Sequence, residues 1–410
     1  MARICLLTAG QPSVNPRLVK EADALHEAGH EVHVLCSHYV QWADEADRVL
    51  LGGRCWSCTY VGGDRKLAPA RYFWTRLRHG LTRRAPRTWS LSGTIRQWAL
   101  SRVLPELQTA ALRIPADLYI SHYPGALVAA AAAARRNNAL IAFDAEDFET
   151  GYCYATGPTA MDRLIESFER QYLPLCCYVT AASPGIAEAY SAKYAIPVPS
   201  SILNVFPLAD RAQKFRPTKP DGPLQLYWFS QTIGLGRGLE DIIQAMGRVT
   251  GCSIELHLRG IWAPGHRKEL YSLAALQGVG SQQIVVHEPA PPQEMIRLAA
   301  EFDVGLALEH PVSKSRELCL TNKIFSYLMA GNAVIGTATR GQRPIMEVIG
   351  EAGLCYEPGD VDALARCLWF WYRDRNALQQ ARQQSWQWGT QRFNWDLEKR
   401  KLVQLVNEVL

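Results

Sequence analysis

Asn322-Lys323-Ile324-Phe325-Ser326-Tyr327-Leu328-Met329-Ala330-Gly331 leads directly into Ala333-Val334-Ile335-Gly336. The first stretch predicts a helix that stops on a glycine, the residue that most readily takes the left-handed conformation closing a last turn. The second is short, apolar and rich in β-branched residues, and predicts a buried parallel strand. Lys323 stands at the N-terminal end of the helix, where unsatisfied N–H groups and the positive end of the dipole already favour an anion. Phosphate is the guest that this combination suits.

Outward from this passage the chain alternates strands and helices. In the N-terminal half the pattern predicts a strand at Arg3 to Thr8, a helix at Asn15 to Ala28 stopped by Gly29, and a strand at Glu31 to Cys36, a βαβ unit of the doubly wound type. Further strands are expected at Asp117 to Ser121 and Leu140 to Phe143, with an Ala-rich helix between them and another helix at Ile186 to Tyr194. Pro207 to Pro223 is rich in Pro and polar residues and reads as a linker. A second series follows, with strands at Leu224 to Phe229, Ser253 to Leu258, Gln283 to His287, Val304 to Leu308 and Val334 to Ile335. A chain of 410 residues is too long for one ordinary core. The expected organisation is therefore 1–206, a linker at 207–223, 224–393, and a terminal helix at 394–410.

Two loops carry candidate chemistry in the second half. Ser230-Gln231-Thr232-Ile233-Gly234-Leu235-Gly236-Arg237-Gly238 lies between a strand and a helix, and offers flexible glycines, backbone donors and one cation, which suits a diphosphate. Glu309 ends an apolar strand, the place where an α/β sheet presents ligands. Together with the Asn-Lys helix, these stretches resemble the nucleotide-sugar glycosyltransferases of the GT-B fold, family-4-like, whose donor pocket is lined by an Asn-Lys-x-Phe-Glu-Tyr-x-x-Ala-Gly stretch. The resemblance implies two Rossmann-like domains facing a cleft, with acceptor on the N-terminal side and donor on the C-terminal side. It also implies a terminal helix that crosses back to the first domain. Arg237 and Lys323 would then face the donor diphosphate, with Ser230, Gln231, Thr232, Gly234 and Asn322 around it. Glu309 and Glu317, separated by seven residues, are similar to the paired glutamates of the family, and either could hold the donor ribose; Glu317 is equally readable as a solvated side chain. The family's Glu within the Asn-Lys motif is Ser326 here, and its first loop cation is Gln231.

In the N-terminal half the segment Gly10-Gln11-Pro12-Ser13-Val14-Asn15-Pro16-Arg17 follows the first strand and resembles the acceptor-side loop of the same superfamily. Gly10, Ser13 and Asn15 are its candidate acceptor contacts, although Ser13 or Asn15 could also cap the helix that follows. Asp144-Ala145-Glu146-Asp147 is similar to the family's Asp-Ala-His-Glu, with Glu146 in place of the His. A carboxylate there suits a general base for an acceptor hydroxyl, with Asp144 and His122 as further candidates. His122 at a strand end is also readable as a structural hydrogen-bonder.

The net charge of +5 is concentrated between Arg65 and Arg102, where Arg71, Arg76, Arg78, Arg83, Arg84 and Arg87 alternate with Tyr72, Phe73, Trp74, Trp89 and Trp98. Cations mixed with aromatics suit an anionic membrane surface, and a solvated helix face is the plain alternative; nothing else in the chain resembles a nucleic-acid module. No apolar run reaches the ~20 residues that span a bilayer, and the chain enters its first strand too early for a signal peptide. The expected location is cytoplasmic, with docking at the inner membrane face through residues 65–102. Eleven Cys scattered through apolar runs fit reduced thiols, and Cys55 and Cys58 lack the second pair that a structural zinc needs. The resemblance implies sugar transfer to a hydroxyl of a glycan or lipid-linked acceptor in polysaccharide biosynthesis, from a donor expected to be a UDP-sugar, with retention of configuration and with neither metal nor other cofactor. A sugar-nucleotide epimerase of the same fold, or a catalytically silent nucleotide-sugar-binding partner, are the alternatives.

Overall fold

The computed structural model describes residues 1–84, 93–152 and 157–410, without the side chain of residue 94. Arg87 and Trp89 of the basic segment lie outside the described residues. The chain divides into two compact units, Met1–Ile202 with Lys399–Leu410, and Leu203–Glu398.

In the first unit seven strands follow one another as β1 (Arg3–Thr8), β2 (Glu31–Ser37), β3 (Ser57–Val61), β4 (Leu118–His122), β5 (Leu140–Ala145), β6 (Tyr178–Ala181) and β7 (Ser200–Ser201). They lie side by side in the order β3-β2-β1-β4-β5-β6-β7, all parallel. The central strands β1, β4 and β5 are covered on both faces, which is why they read as largely continuous apolar runs and not as alternating ones. Ile4 and Leu6 pack on Leu18, Ala22 and Leu25 of the helix Pro16–Glu27, while Cys5 and Leu7 pack on the other side with Leu107 and Ala130. Val406 of the last helix, Trp395–Val409, enters the first of these clusters.

The second unit repeats the plan with β8 (Leu224–Ile233), β9 (Ile254–Trp262), β10 (Ile284–His287), β11 (Val304–Ala307), β12 (Ala333–Thr337) and β13 (Gly353–Tyr356), in the order β10-β9-β8-β11-β12-β13. In each sheet the chain order reverses once, between β1 and β4 and between β8 and β11. Loops after those strands diverge and leave a crevice at the strands' C-terminal ends, which is where open α/β sheets bind ligands.

The helix Asn322–Ala330 closes on Gly331 at φ 74° as its sequence predicts, and Thr321 caps its start. Two expectations change. β8 continues to Ile233 through a register shift between Phe229 and Thr232, so Ser230, Gln231 and Thr232 lie on a strand and the loop shrinks to Gly234–Gly238. β5 runs on to Ala145 and takes Asp144 with it. Cys55 is exposed, and Cys58 on β3 places its Sγ 3.4 Å from Cys36 Sγ on β2. Every described cysteine is free. No described helix is long and apolar enough to cross a membrane.

Candidate active site

The second unit gathers charge where β8 and β11 end. Glu309 lies just beyond β11, and its backbone N–H donates to Thr337 Oγ1 at the end of β12, 2.9 Å away. Gln342 Nε2 donates to the same hydroxyl at 2.7 Å and to Ala307 O and Thr337 O at 3.1 Å each, so this loop is pinned from below. The Glu309 carboxylate is only 4% exposed. It accepts from Lys323 Nζ at 2.8 Å and from Arg316 Nη1 at 3.1 Å. Burial alone would push this carboxyl up, but the attraction of Lys323, Arg316 and Arg237 outweighs it and holds the group below its ordinary range.

Arg237 donates to Ser230 Oγ at 2.5 Å, and burial together with repulsion from Arg316 weakens its hold on its proton. Gly238, which follows it, has φ 76°, and a Cβ there would meet Leu308 Cβ at 2.5 Å; only glycine lets the loop come against the end of β11. Three cations therefore surround one carboxylate, an excess of two positive charges, with Lys323 in the first turn of a helix whose N-terminal dipole end also favours an anion.

The other donor candidates fall into two groups. Gln231, Thr232 and Asn322 are exposed beside this cluster, and Gly234 is buried against His266. Ser326 is fully buried and bonds back to Asn322 O at 3.3 Å within its own helix. Glu317 pairs with Lys314 at 2.9 Å on the short helix Lys314–Leu318. The sequence reading missed Arg316, whose one signal is a basic side chain seven residues beyond Glu309.

The first unit builds a different centre. Register aligns Thr8 of β1 with His122 of β4, His122 with Asp144 of β5, and Asp144 with Thr180 of β6, a polar row across the C-terminal edge of the sheet. Arg17 and Glu21 lie one turn apart on the helix Pro16–Glu27 and meet this row. Arg17 Nε and Nη2 grip the Asp144 carboxylate at 2.6 and 2.7 Å, and Glu21 Oε2 lies 2.9 Å from His122 Nε2. Thr180 donates to Asp144, and His122 Nδ1 is 3.4 Å from it. All four ionisable side chains are buried. Burial disfavours the charged His122, yet its bond to Glu21 and the field of Asp144 raise its affinity for a proton. Burial likewise disfavours the Asp144 anion, and Arg17 and His122 more than compensate.

Glu146 stands two residues beyond Asp144, partly exposed. Burial raises its carboxyl above the ordinary range, partly offset by Arg17. Tyr123 donates to Glu146 Oε2 at 3.4 Å and holds a backbone at φ 71°, ψ 147°, a region that side chains other than glycine rarely enter. Tyr123 also lines a cavity of about 1040 Å³ whose wall includes Gly10, Tyr72, Arg76, Arg83 and Glu149. Burial and its acidic neighbours Asp147, Glu169 and Glu146 push the Glu149 carboxyl up to about 8. Of the expected acceptor contacts, Gly10 is on this wall; Ser13 is tied by its N–H to Asp47 Oδ1 at 2.7 Å, and Asn15 caps the helix through Leu18 N at 3.0 Å. Arg17 closes the segment that resembles the acceptor-side loop but receives no role from that resemblance, and Tyr123, Glu149 and Glu21 carry no signature a single sequence could display.

Among the described residues His38, Asp44 and Asp64 bring three possible metal-ligand atoms within 4.8 Å of one another. Protein donors already occupy them, since Asp44 accepts from His38 and Gln11 and Asp64 accepts from the N–H groups of Lys66 and Leu67.

Residues 17–204, which carry this buried network and Glu146, match the model of Glycosyltransferase Family 4. No curated protein matches the chain in sequence. Among solved structures the chain is similar to Anabaena Alr3699/HepE in complex with UDP (14% identity, 100% of each chain covered, TM-score 0.69). It is also similar to the sucrose-phosphate synthase of Thermosynechococcus elongatus (15% identity, 100% of this chain and 99% of that one, TM-score 0.70). A third is the lipopolysaccharide outer core galactosyltransferase WaaB (13% identity, 100% of each, TM-score 0.63). Two parallel sheets with the same reversal of strand order, and a fold shared with these structures over the whole length, give the chain the GT-B fold, and its residues 17–204 match Glycosyltransferase Family 4.

Proposed function

We propose that the chain is a glycosyltransferase that takes its sugar from a UDP-sugar held by the second unit and passes it to a hydroxyl of a glycan or lipid-linked acceptor held by the first, in polysaccharide biosynthesis. The observation that carries the reading is the cluster of Arg237, Arg316 and Lys323 around the single buried carboxylate of Glu309. An excess of fixed positive charge is what a diphosphate needs, most of all when it departs and its negative charge grows. Glu309 has the role of holding Lys323 and Arg316 in place, since both its oxygens are engaged. Support for uridine comes from likeness to HepE, whose structures hold UDP and UDP-glucose. Retention of configuration and independence of metal follow from the family resemblance, and the surplus cations are in keeping with the latter.

Replacing Arg237 or Lys323 by Ala should each remove a charge-assisted hydrogen bond worth roughly 1.5–3 kcal/mol. UDP affinity measured by calorimetry should fall about tenfold or more in each variant. Arg316 remains to hold Glu309 when Lys323 is removed. Unchanged UDP binding in both variants would show the donor site to be elsewhere.

The silent-partner reading keeps one point of support, the departures at Gln231, Ser326 and Glu146 from the family pattern. Donor hydrolysis or transfer with and without added acceptor separates it, and the epimerase, from a transferase.

The same proposal includes docking on an anionic bilayer. On the helix Pro69–Arg84 the side chains Phe73, Trp74, Leu77 and Leu81 share one face and are 56–63% exposed, with the exposed cations Arg65, Lys66 and Arg71 nearby. Apolar side chains entering the headgroup region beside cations is the interfacial binding mode. Trp74→Ser with Leu77→Ser should cut sedimentation with phosphatidylglycerol vesicles by about tenfold or more. Binding of the parent chain should weaken as salt shortens the screening length below about 8 Å. Equal sedimentation of parent and variant would end this part of the reading.

A further inference from the structure

The helix Pro69–Arg84 has a second face that points the other way. Tyr72, Arg76, His79, Gly80 and Arg83 recur at intervals of three, four and one, a single stripe on a helix. This stripe forms one wall of the cavity of about 1040 Å³, opposite Gly10 and Tyr123. Its charge has no counterweight. Arg78 is neutralised by Glu106, at 2.8 and 2.6 Å, but it lies off the stripe. Arg76 reaches only the Tyr72 hydroxyl, at 3.3 Å, and Tyr72 also receives Arg65 at 3.0 Å and lies under Arg102. Among the described residues no carboxylate pairs with Arg76, Arg83 or Arg102. The only acid among the described lining residues is Glu149. With its carboxyl at about 8, it is largely protonated at neutral pH and cancels little of this charge. Burial chiefly, with a smaller contribution from repulsion by Arg83, Arg102 and Arg78, pushes the His79 imidazole down against its bond to Trp98 O. Crowding guanidinium groups together without an acid costs folding stability, and the crowding is relieved by an anion brought from outside.

We propose that this cavity selects the acceptor by an anionic group, a phosphate or a carboxylate that the acceptor carries, gripped by Arg76 and Arg83. The inference rests on the reading that the first unit holds the acceptor. Guanidinium forks match the paired oxygens of either group. The aromatic rings of Tyr39, Tyr72 and Tyr123 on the same walls leave surface for a sugar ring beside the anion.

The test is calorimetry on the full chain saturated with UDP, with three probes: octyl diphosphate, a disaccharide ending in glucuronic acid, and cellobiose as the neutral control. At least one anionic probe should bind about tenfold or more tightly than cellobiose, and Arg76→Gln and Arg83→Gln should each weaken it by about tenfold. Tighter binding of the diphosphate alone identifies a lipid diphosphate as the source of the anion, and of the glucuronide alone an acidic glycan; either supports the proposal. Equal affinity for all three probes, or an anionic affinity that survives both substitutions, overturns it. UDP affinity is read in a separate titration of each protein before saturation and should be unchanged in both variants; urea unfolding of the first unit at the parent's midpoint reports that they fold. A parent chain that binds the anionic probe through these arginines but not UDP would retain this inference and remove the donor assignment above.

Discussion

Glu146→Gln is expected to lower sugar transfer by about 10²–10⁴-fold, the usual contribution of a general base, while UDP affinity stays unchanged. The acceptor hydroxyl must lose a proton as it attacks. A base for that step works best when its own affinity for a proton is raised toward neutrality. Glu146 meets this condition through its surroundings: burial disfavours its charge, the nearby Asp144 and Asp147 add repulsion, and only part of this is cancelled by Arg17. Tyr123 holds its Oε2 at 3.4 Å and lines the cavity proposed for the acceptor, so the carboxylate is oriented from that side. Gln keeps the shape and the hydrogen bond from Tyr123 but cannot accept the proton. Kinetics at saturating acceptor separate this from a binding role, because a lost contact raises KM and leaves kcat alone. Glu149 is the competitor, since it lies on the cavity wall with its carboxyl at about 8. Wild-type kcat in Glu146→Gln would remove that residue from the mechanism, and a fall in Glu149→Gln instead would transfer the role to it.

What could be read from the sequence, and what could not, follows from which features are local. The helix Asn322–Ala330, its closing glycine and the strand behind it depend on side-chain order alone, and they stand where the sequence puts them. β1, β2 and β8 announce themselves as continuous apolar runs because both of their faces are buried. β3, β6, β7 and β13 do not, being two to five residues long or mostly polar, as in Ser57-Cys58-Thr59-Tyr60-Val61. Their strand state is imposed by neighbours already in the sheet. The donor cluster was half legible: Arg237 and Lys323 were named for their places at helix starts, whereas Arg316 matters only because a bend after β11 folds it back onto Glu309. In the first unit the sequence puts Glu146 ahead of His122 and Asp144 only by its place in a motif resembling the family's. Register across β4, β5 and β6 separates them physically, because it encloses His122 and Asp144 with Arg17, Glu21 and Thr180 and leaves Glu146 partly exposed.

That enclosure has a consequence for stability. Asp144→Ala is expected to destabilise the first unit by about 3–5 kcal/mol, the usual result of removing one partner of a buried ion pair. Arg17 is 4% exposed and spends two of its donors on Asp144; without that carboxylate its charge is left in a medium that solvates it poorly. A loss of this size is a large share of the ~5–15 kcal/mol that holds a domain folded. The double variant Arg17→Met with Asp144→Leu should recover most of it, since exchanging a whole buried pair for apolar side chains of similar volume is often neutral. The pH dependence follows from the signs of the two shifts. Asp144 is held below its ordinary value, so its contribution is present above the unfolded value of 3.8 and fades as pH falls through the lower folded one. His122 is raised, so its contribution is complete below 6.5 and fades as pH rises through the higher folded value. Urea titrations followed by a probe confined to the first unit should show stability lost below about pH 4, as Asp144 takes up its proton, and lost again as pH rises, with an alkaline decline that is smaller but still present in His122→Gln, because the raised carboxyls of Glu146 and Glu149 give a decline of their own. If Asp144→Ala costs less than about 1 kcal/mol, the network beneath Glu146 is not what holds the end of β5 in place.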